Sequence, residues 1–187
     1  MKIRLAADLQ SDSIVDGEGI RTVIWTQGCP HNCFGCHNKC THDFNGGELI
    51  DLDYIKNEIS ELKLQDGLTF SGGDPMCQPE ACSELAKYAK SLNMNIWCYT
   101  GYTYEQLITL SKSNKYIMEF LENIDVLVDG KFMLELKSDT ALFRGSTNQR
   151  IIDVKSSLQK KRVCLVEKYK EKEEEQVKFC HEKYLFV

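Results

Sequence analysis

The chain has 187 residues, long enough for one domain with a real core and too short for two of ordinary size. A net charge of −5 with no basic stripe ahead of the tail speaks against a nucleic-acid surface. No apolar run approaches the roughly 20 residues of a membrane span, and Asp8 follows Met1 too soon for a signal peptide, so a cytoplasmic protein with no membrane partner is expected.

In chain order, Ile3–Leu5 reads as a short first strand, followed by a polar loop that reaches Asp16-Gly17-Glu18-Gly19, where two glycines around an acid suggest a tight turn. Thr22–Thr26 is a β-branched and aromatic run, short enough for a buried strand. After it comes Cys29-Pro30-His31-Asn32-Cys33-Phe34-Gly35-Cys36, so the cysteines hang from the C-terminal end of a strand. Beyond Asn45-Gly46-Gly47, apolar Ile55, Ile59 and Leu62 recur at helical spacing, with Asp53 as the expected cap.

Gly67–Ser71 is the next expected strand and runs into Gly72-Gly73-Asp74-Pro75. Pro79 opens a helix whose core face is Cys82, Leu85, Ala86, Ala89 and Leu92. Asn95–Tyr99 is strand again, and Thr103-x-x-Gln106 is a capping box for a helix to about Leu110. A second helical stretch covers Tyr116–Leu121, and Ile124–Val128 is a buried strand closed by Asp129-Gly130-Lys131. Arg150–Val154 and Val163–Val166 read as further strands, and the charged run from Glu167 to Lys178 as a solvated helix or frayed tail.

Strand followed by helix, repeated, implies an α/β fold with a parallel sheet, and such sheets carry their sites at the C-terminal strand ends. The cysteines, Gly72-Gly73-Asp74, Thr100-Gly101-Tyr102 and Asp129-Gly130-Lys131 all fall at such ends. Four converging loops define a candidate site.

The chain has nine cysteines, an odd number in a chain able to bury its own core, which fits a metal site in a reducing compartment better than a disulfide framework. Cys29, Cys33 and Cys36 follow C-x3-C-x2-C, and thiolates at that density suit iron–sulfur clusters, zinc or Cu(I). Three ligands on a four-iron cubane leave one iron open for a substrate. Two other uses stay open: a structural zinc completed by Cys40, His31, His37 or His42, and a closed ferredoxin-type cluster using Cys40. Against them, zinc ribbons usually bring two separated cysteine pairs, and ferredoxin spacing begins C-x2-C. Cys40 is taken as a bystander, and most of the remaining cysteines (Cys77, Cys82, Cys98, Cys164 and Cys180) as buried small hydrophobes or inert thiols.

The C-x3-C-x2-C pattern resembles that of the radical S-adenosylmethionine (SAM) enzymes. Asp16-Gly17-Glu18-Gly19-Ile20-Arg21 and Gln27-Gly28-Cys29 resemble their glycyl-radical-activating branch. Phe143-Arg144-Gly145-Ser146-Thr147-Asn148-Gln149-Arg150 is similar to a segment in the activating subunits of anaerobic (class III) ribonucleotide reductases. The resemblance covers about Asp16 to Val154 and leaves 155–187 as an extension of unassigned role within a single domain, 1–187. It implies an incomplete parallel (β/α) barrel in which Cys29, Cys33 and Cys36 hold a 4Fe-4S cluster. It further implies SAM contacts at Gly35, Cys36, His37, Gly72, Gly73, Asp74, Asp129 and Lys131. Asp74 stands where Glu is more widespread.

The reaction implied is reductive SAM cleavage to a 5′-deoxyadenosyl radical, which takes hydrogen from a backbone glycine of the anaerobic ribonucleotide reductase. A low-potential donor such as flavodoxin or ferredoxin would supply the electron. Activation of formate-lyase or another glycyl radical enzyme is the near alternative. An electron-transfer iron–sulfur protein and a zinc-stapled binding module are the remote ones.

Overall fold

The structure, a computed structural model, describes residues 1–169. Its centre is one sheet built from β1 (Lys2–Leu5), β2 (Gln10–Ser13), β3 (Arg21–Thr26), β4 (Glu48–Asp51), β5 (Gly67–Gly72), β6 (Asn95–Thr100), β7 (Val126–Asp129) and β8 (Arg150–Asp153). In space the order is β4-β1-β3-β5-β6-β7-β8, with β2 also on β3. The four middle strands β3, β5, β6 and β7 are parallel. Around them β1, β2, β4 and β8 pair antiparallel.

That edge differs from the all-parallel expectation. A parallel pair needs a long crossover, usually a helix, and none lies between β7 and β8. The chain makes a helix-poor excursion from Gly130 to Gln149 and returns antiparallel, with Asp129 opposite Arg150. Val163–Val166 contributes a single bridge, Leu165 to Ile152, rather than a strand. The tail beyond Tyr169, with most of the charged run and Cys180, lies outside the described residues.

The helices are α1 (Leu52–Ser60), α2 (Pro79–Ser91), α3 (Tyr104–Leu110), α4 (Lys115–Leu121) and α5 (Val154–Lys160). Asp51, not Asp53, caps α1: its carboxylate accepts the Asp53 N–H at 3.1 Å. The Thr103/Gln106 capping box of α3 is formed in both directions. Strand alternation sends Ile24, Leu68, Phe70, Ile96, Cys98 and Leu127 to one face, where they pack with Ile55, Ile59, Cys82, Leu85, Phe120 and Leu121 of the helices. Leu92, expected on that face, is 41% exposed because α2 has ended and Leu92 forms its C-cap.

The other face holds Trp97, Val128 and Ile151 with Tyr169, and is filled lower down by Arg21. This guanidinium is buried, donating to Thr69 Oγ1 at 2.7 Å and to the carbonyls of Glu18 (2.9 Å), Leu68 (2.6 Å) and Asn95 (2.9 Å). It also faces the Trp97 ring at 5.6 Å. Burial lowers its pKa to about 10, so it stays a cation at neutral pH. Each carbonyl stranded by its loss would cost about 1–3 kcal/mol. The Asp16–Gly19 turn is fastened over this plug, with Gly17 (φ +122°) against Trp97. Thr69 Oγ1 donates to the Asp16 carbonyl at 2.6 Å.

Candidate metal centre and cofactor site

At the C-terminal ends of the parallel strands a cavity is walled by Cys29, Cys33 and Cys36 on one side and by Ser71, Gly72 and Gly73 of the β5 end on the other. Tyr99, Thr100 and Gly101 of the β6 end, with Gly130, Phe132 and Gln149 after β7, close it. The cavity volume is about 180 Å³. It shares His37, Tyr99 and Gly145 as walls with an adjoining groove of about 560 Å³. Cofactor sites typically span roughly 300–1,000 Å³.

The cysteine loop reaches this position because its backbone runs along the β5 end. Gly73 N–H donates to the Thr26 carbonyl at 2.7 Å and Asp74 N–H to the Gly28 carbonyl at 2.8 Å. Gly28 (φ +97°) and Gly72 (φ +99°) take backbone conformations that side chains resist. All three cysteines are free thiols and partly buried. Burial pushes the Cys29 thiol up to about 11, against a hydrogen bond from the His31 backbone. Burial also raises Cys33, opposed by the Phe132 backbone N–H and the Lys131 ammonium. Cys36 Sγ lies 3.3 Å from His42 Nε2.

The donor set suits a cluster: three soft sulfurs facing a cavity, beside two glycines. Among the described residues no three His, Cys, Asp or Glu groups close to the spacing of a single ion. A cubane presents its irons on separate corners and does not require that closure. Cys40 is exposed and is not part of the cavity wall.

Of the residues expected at SAM, Cys36, His37, Gly72 and Gly73 line the cavity, whereas Gly35, Asp74, Asp129 and Lys131 do not. Gly35 (φ +74°) packs against Leu134. The Lys131 side chain is exposed on the rim. Asp129 is buried under the floor, gripped by Arg150 Nε at 2.9 Å and by the Tyr104 N–H at 2.7 Å. Asp74 is fully buried, and its carboxylate accepts from Met76 N–H, Gly101 N–H, Thr100 Oγ1 and His31 Nε2.

Sequence reading missed three wall features. His31 and His42 entered it only as alternative zinc ligands. Their contacts to Asp74 and Cys36 leave no mark in the order of residues. Tyr99 stands in the wall common to both cavities with its hydroxyl shielded from solvent and without a hydrogen-bond partner among the described residues. The Arg144–Gln149 segment is knitted to the β7 end: Gln149 Oε1 accepts the Gly145 N–H at 2.9 Å, and its Nε2 donates to the Gly130 carbonyl at 2.9 Å.

Residues 15–152 match a domain family described as a 4Fe-4S single cluster domain, which sets the class of protein. More particularly, the chain is 34% identical over 145 residues to the anaerobic ribonucleoside-triphosphate reductase-activating protein of Escherichia coli, covering 73% of this chain and 90% of that protein. The proteins of the same name from Vibrio cholerae (36% over 146 residues) and Haemophilus influenzae (34% over 147) each match 74% of this chain and 90% of their own length. The chain belongs to the anaerobic ribonucleoside-triphosphate reductase-activating protein family.

Proposed function

We propose that this protein is a radical SAM activase that installs a glycyl radical on the anaerobic ribonucleoside-triphosphate reductase. The observation that carries the reading is the shared cavity: Cys29, Cys33 and Cys36 face Gly72 and Gly73 across a space open to a longer groove. Helices on one face of the sheet and a plugged, partly open opposite face support the incomplete (β/α) barrel of the radical SAM type. The chain acts as a single domain over 1–187.

Cys29, Cys33 and Cys36 hold the 4Fe-4S cluster. Bound there, the cluster would supply a one-electron donor beside SAM, and the chemistry it would support is reductive SAM cleavage coupled to hydrogen abstraction from a glycine of the reductase. The protein's part is placement. Gly72 and Gly73 bring backbone polar groups close to the methionine end, since no Cβ intervenes. Cys36 and His37 bound the opposite side, and His37 packs on Phe132 at 5.1 Å between ring centres. Gly35 lets the loop turn there, and Lys131 adds a cation at the rim. Asp74 and Asp129 serve SAM by bracing the loops around it, because their carboxylates are already engaged. A low-potential flavodoxin or ferredoxin is the electron donor, and the site of action is the cytoplasm.

Reconstituted anaerobically, the protein should bind roughly four irons and cleave SAM under reduction. Cys29→Ala, Cys33→Ala and Cys36→Ala should each lose the cluster, and Cys40→Ala should keep it. Zinc filling the site, with Cys40→Ala abolishing metal binding, would overturn the open-iron reading.

A further inference from the structure

Asp74 is more occupied than a ligand contact should be. Its Oδ2 accepts from His31 Nε2 at 2.7 Å and from the Gly101 N–H at 3.0 Å; its Oδ1 accepts from the Met76 N–H at 3.0 Å, and Thr100 Oγ1 lies 3.0 Å from both oxygens. Both oxygens are therefore engaged, and the side chain has no exposed surface. Three of these donors belong to the β5 and β6 ends. The fourth, His31, lies between Cys29 and Cys33.

His31 is seated as closely as Asp74. Its side chain is 7% exposed, and its ring meets Tyr102 edge-on at 4.5 Å between centres. A Cβ on Gly101 would overlap that ring, so the glycine leaves the room it occupies. The cysteine arm thus touches the sheet at two points: the Gly28 backbone on Gly73–Asp74, and the His31 ring on Asp74.

We propose that Asp74 is a positioning residue: through its hydrogen bond to His31 it pins the Cys29–Cys33 arm over the ends of β5 and β6, and so fixes where the cysteine sulfurs stand relative to Gly72–Gly73. This rests on the reading that those cysteines hold the cluster. A site that must keep its reacting atoms in register depends on such supporting contacts as much as on the ligands. Asp74 then acts on SAM through His31, without touching it.

Two measurements on the full-length chain decide the matter. In the metal-free protein, His31→Ala should speed amide hydrogen exchange at 31–33 about tenfold while β5 keeps its protection. His31→Gln, which retains an N–H donor, should restore much of it. Gly101→Ala, which displaces the ring and spares the carboxylate, should resemble His31→Ala. Unchanged exchange in His31→Ala and Gly101→Ala overturns the proposal, whether or not any Asp74 variant folds.

In the cluster-loaded protein, Asp74→Asn should weaken SAM binding about tenfold in the wild-type background and less than about twofold on top of His31→Ala, because two members of one contact do not add. Equal weakening in both backgrounds would make Asp74 a direct SAM contact and end the proposal. If reconstituted wild-type protein holds no cluster, the underlying reading fails instead, and the exchange measurement still decides the anchoring.

Discussion

At the scale of single residues, the site depends on glycines that line the cavity and also pack tightly on neighbouring backbone. Gly73 is one of the SAM contacts that the sequence resemblance implies. In the structure a Cβ there falls on the Gly28 carbonyl, the backbone that carries Cys29. Gly73→Val should therefore lower iron retention as well as SAM affinity, read by iron per chain after desalting and by SAM titration. A folded variant with a full cluster and weakened SAM binding would return Gly73 to a purely ligand-facing role. The cysteines and the Gly72–Gly73 pair were legible because their spacing and position at strand ends are local facts. The His31–Asp74 contact was not, since its partners are 43 residues apart and only the fold brings them together.

Among the elements, the parallel strands were legible, as were β1 and β8 as strands, whereas β2, β4 and the antiparallel sense of the outer strands were not. Runs such as Thr22–Thr26 and Asn95–Tyr99 are apolar enough to read as buried strands from either side. β2, with sequence QSDS and mostly exposed, carries no such signal and exists because β3 offers an unpaired edge. The antiparallel return of β8 was likewise hidden, because the Gly130–Gln149 excursion is a loop whose path depends on hydrogen bonds from Gln149 and Asn148 to Gly130 and Lys131.

That edge is fastened by Arg150, which bridges Asp129 of β7 and Glu105 of α3. The hydrogen bond from Arg150 holds the Glu105 carboxyl down at about 2 from an ordinary 4.5. A carboxyl depressed on folding stabilises fully above its unfolded pKa and loses that contribution as pH falls through the folded one. The loss belongs to the window from about 4.5 down to about 2. Glu105 is largely exposed, so solvent screens the effect to a small one. Glu105→Gln should flatten the acid limb of stability in that window and leave the curve above pH 5 parallel to wild type, measured by denaturant melts across pH. An unchanged acid limb would show that the bridge contributes nothing.

For the molecule as a whole, one face of the sheet is a conventional helix-packed core, and the other is divided. Its lower half is closed by Arg21, Trp97 and the Asp16–Gly19 turn, and its upper half is left as the cavity beneath the cysteine loop. A plug below and a loop held above fit the proposed work of keeping two cofactors in register. The most direct test is electron paramagnetic resonance on a mixture of this protein, SAM, a low-potential reductant and the anaerobic ribonucleotide reductase of the same organism. A doublet glycyl radical on the reductase, with SAM converted to methionine and 5′-deoxyadenosine and no radical on formate-lyase treated identically, is the predicted result. A radical on the lyase and none on the reductase would contradict the partner, and no SAM cleavage with either would contradict the activase itself.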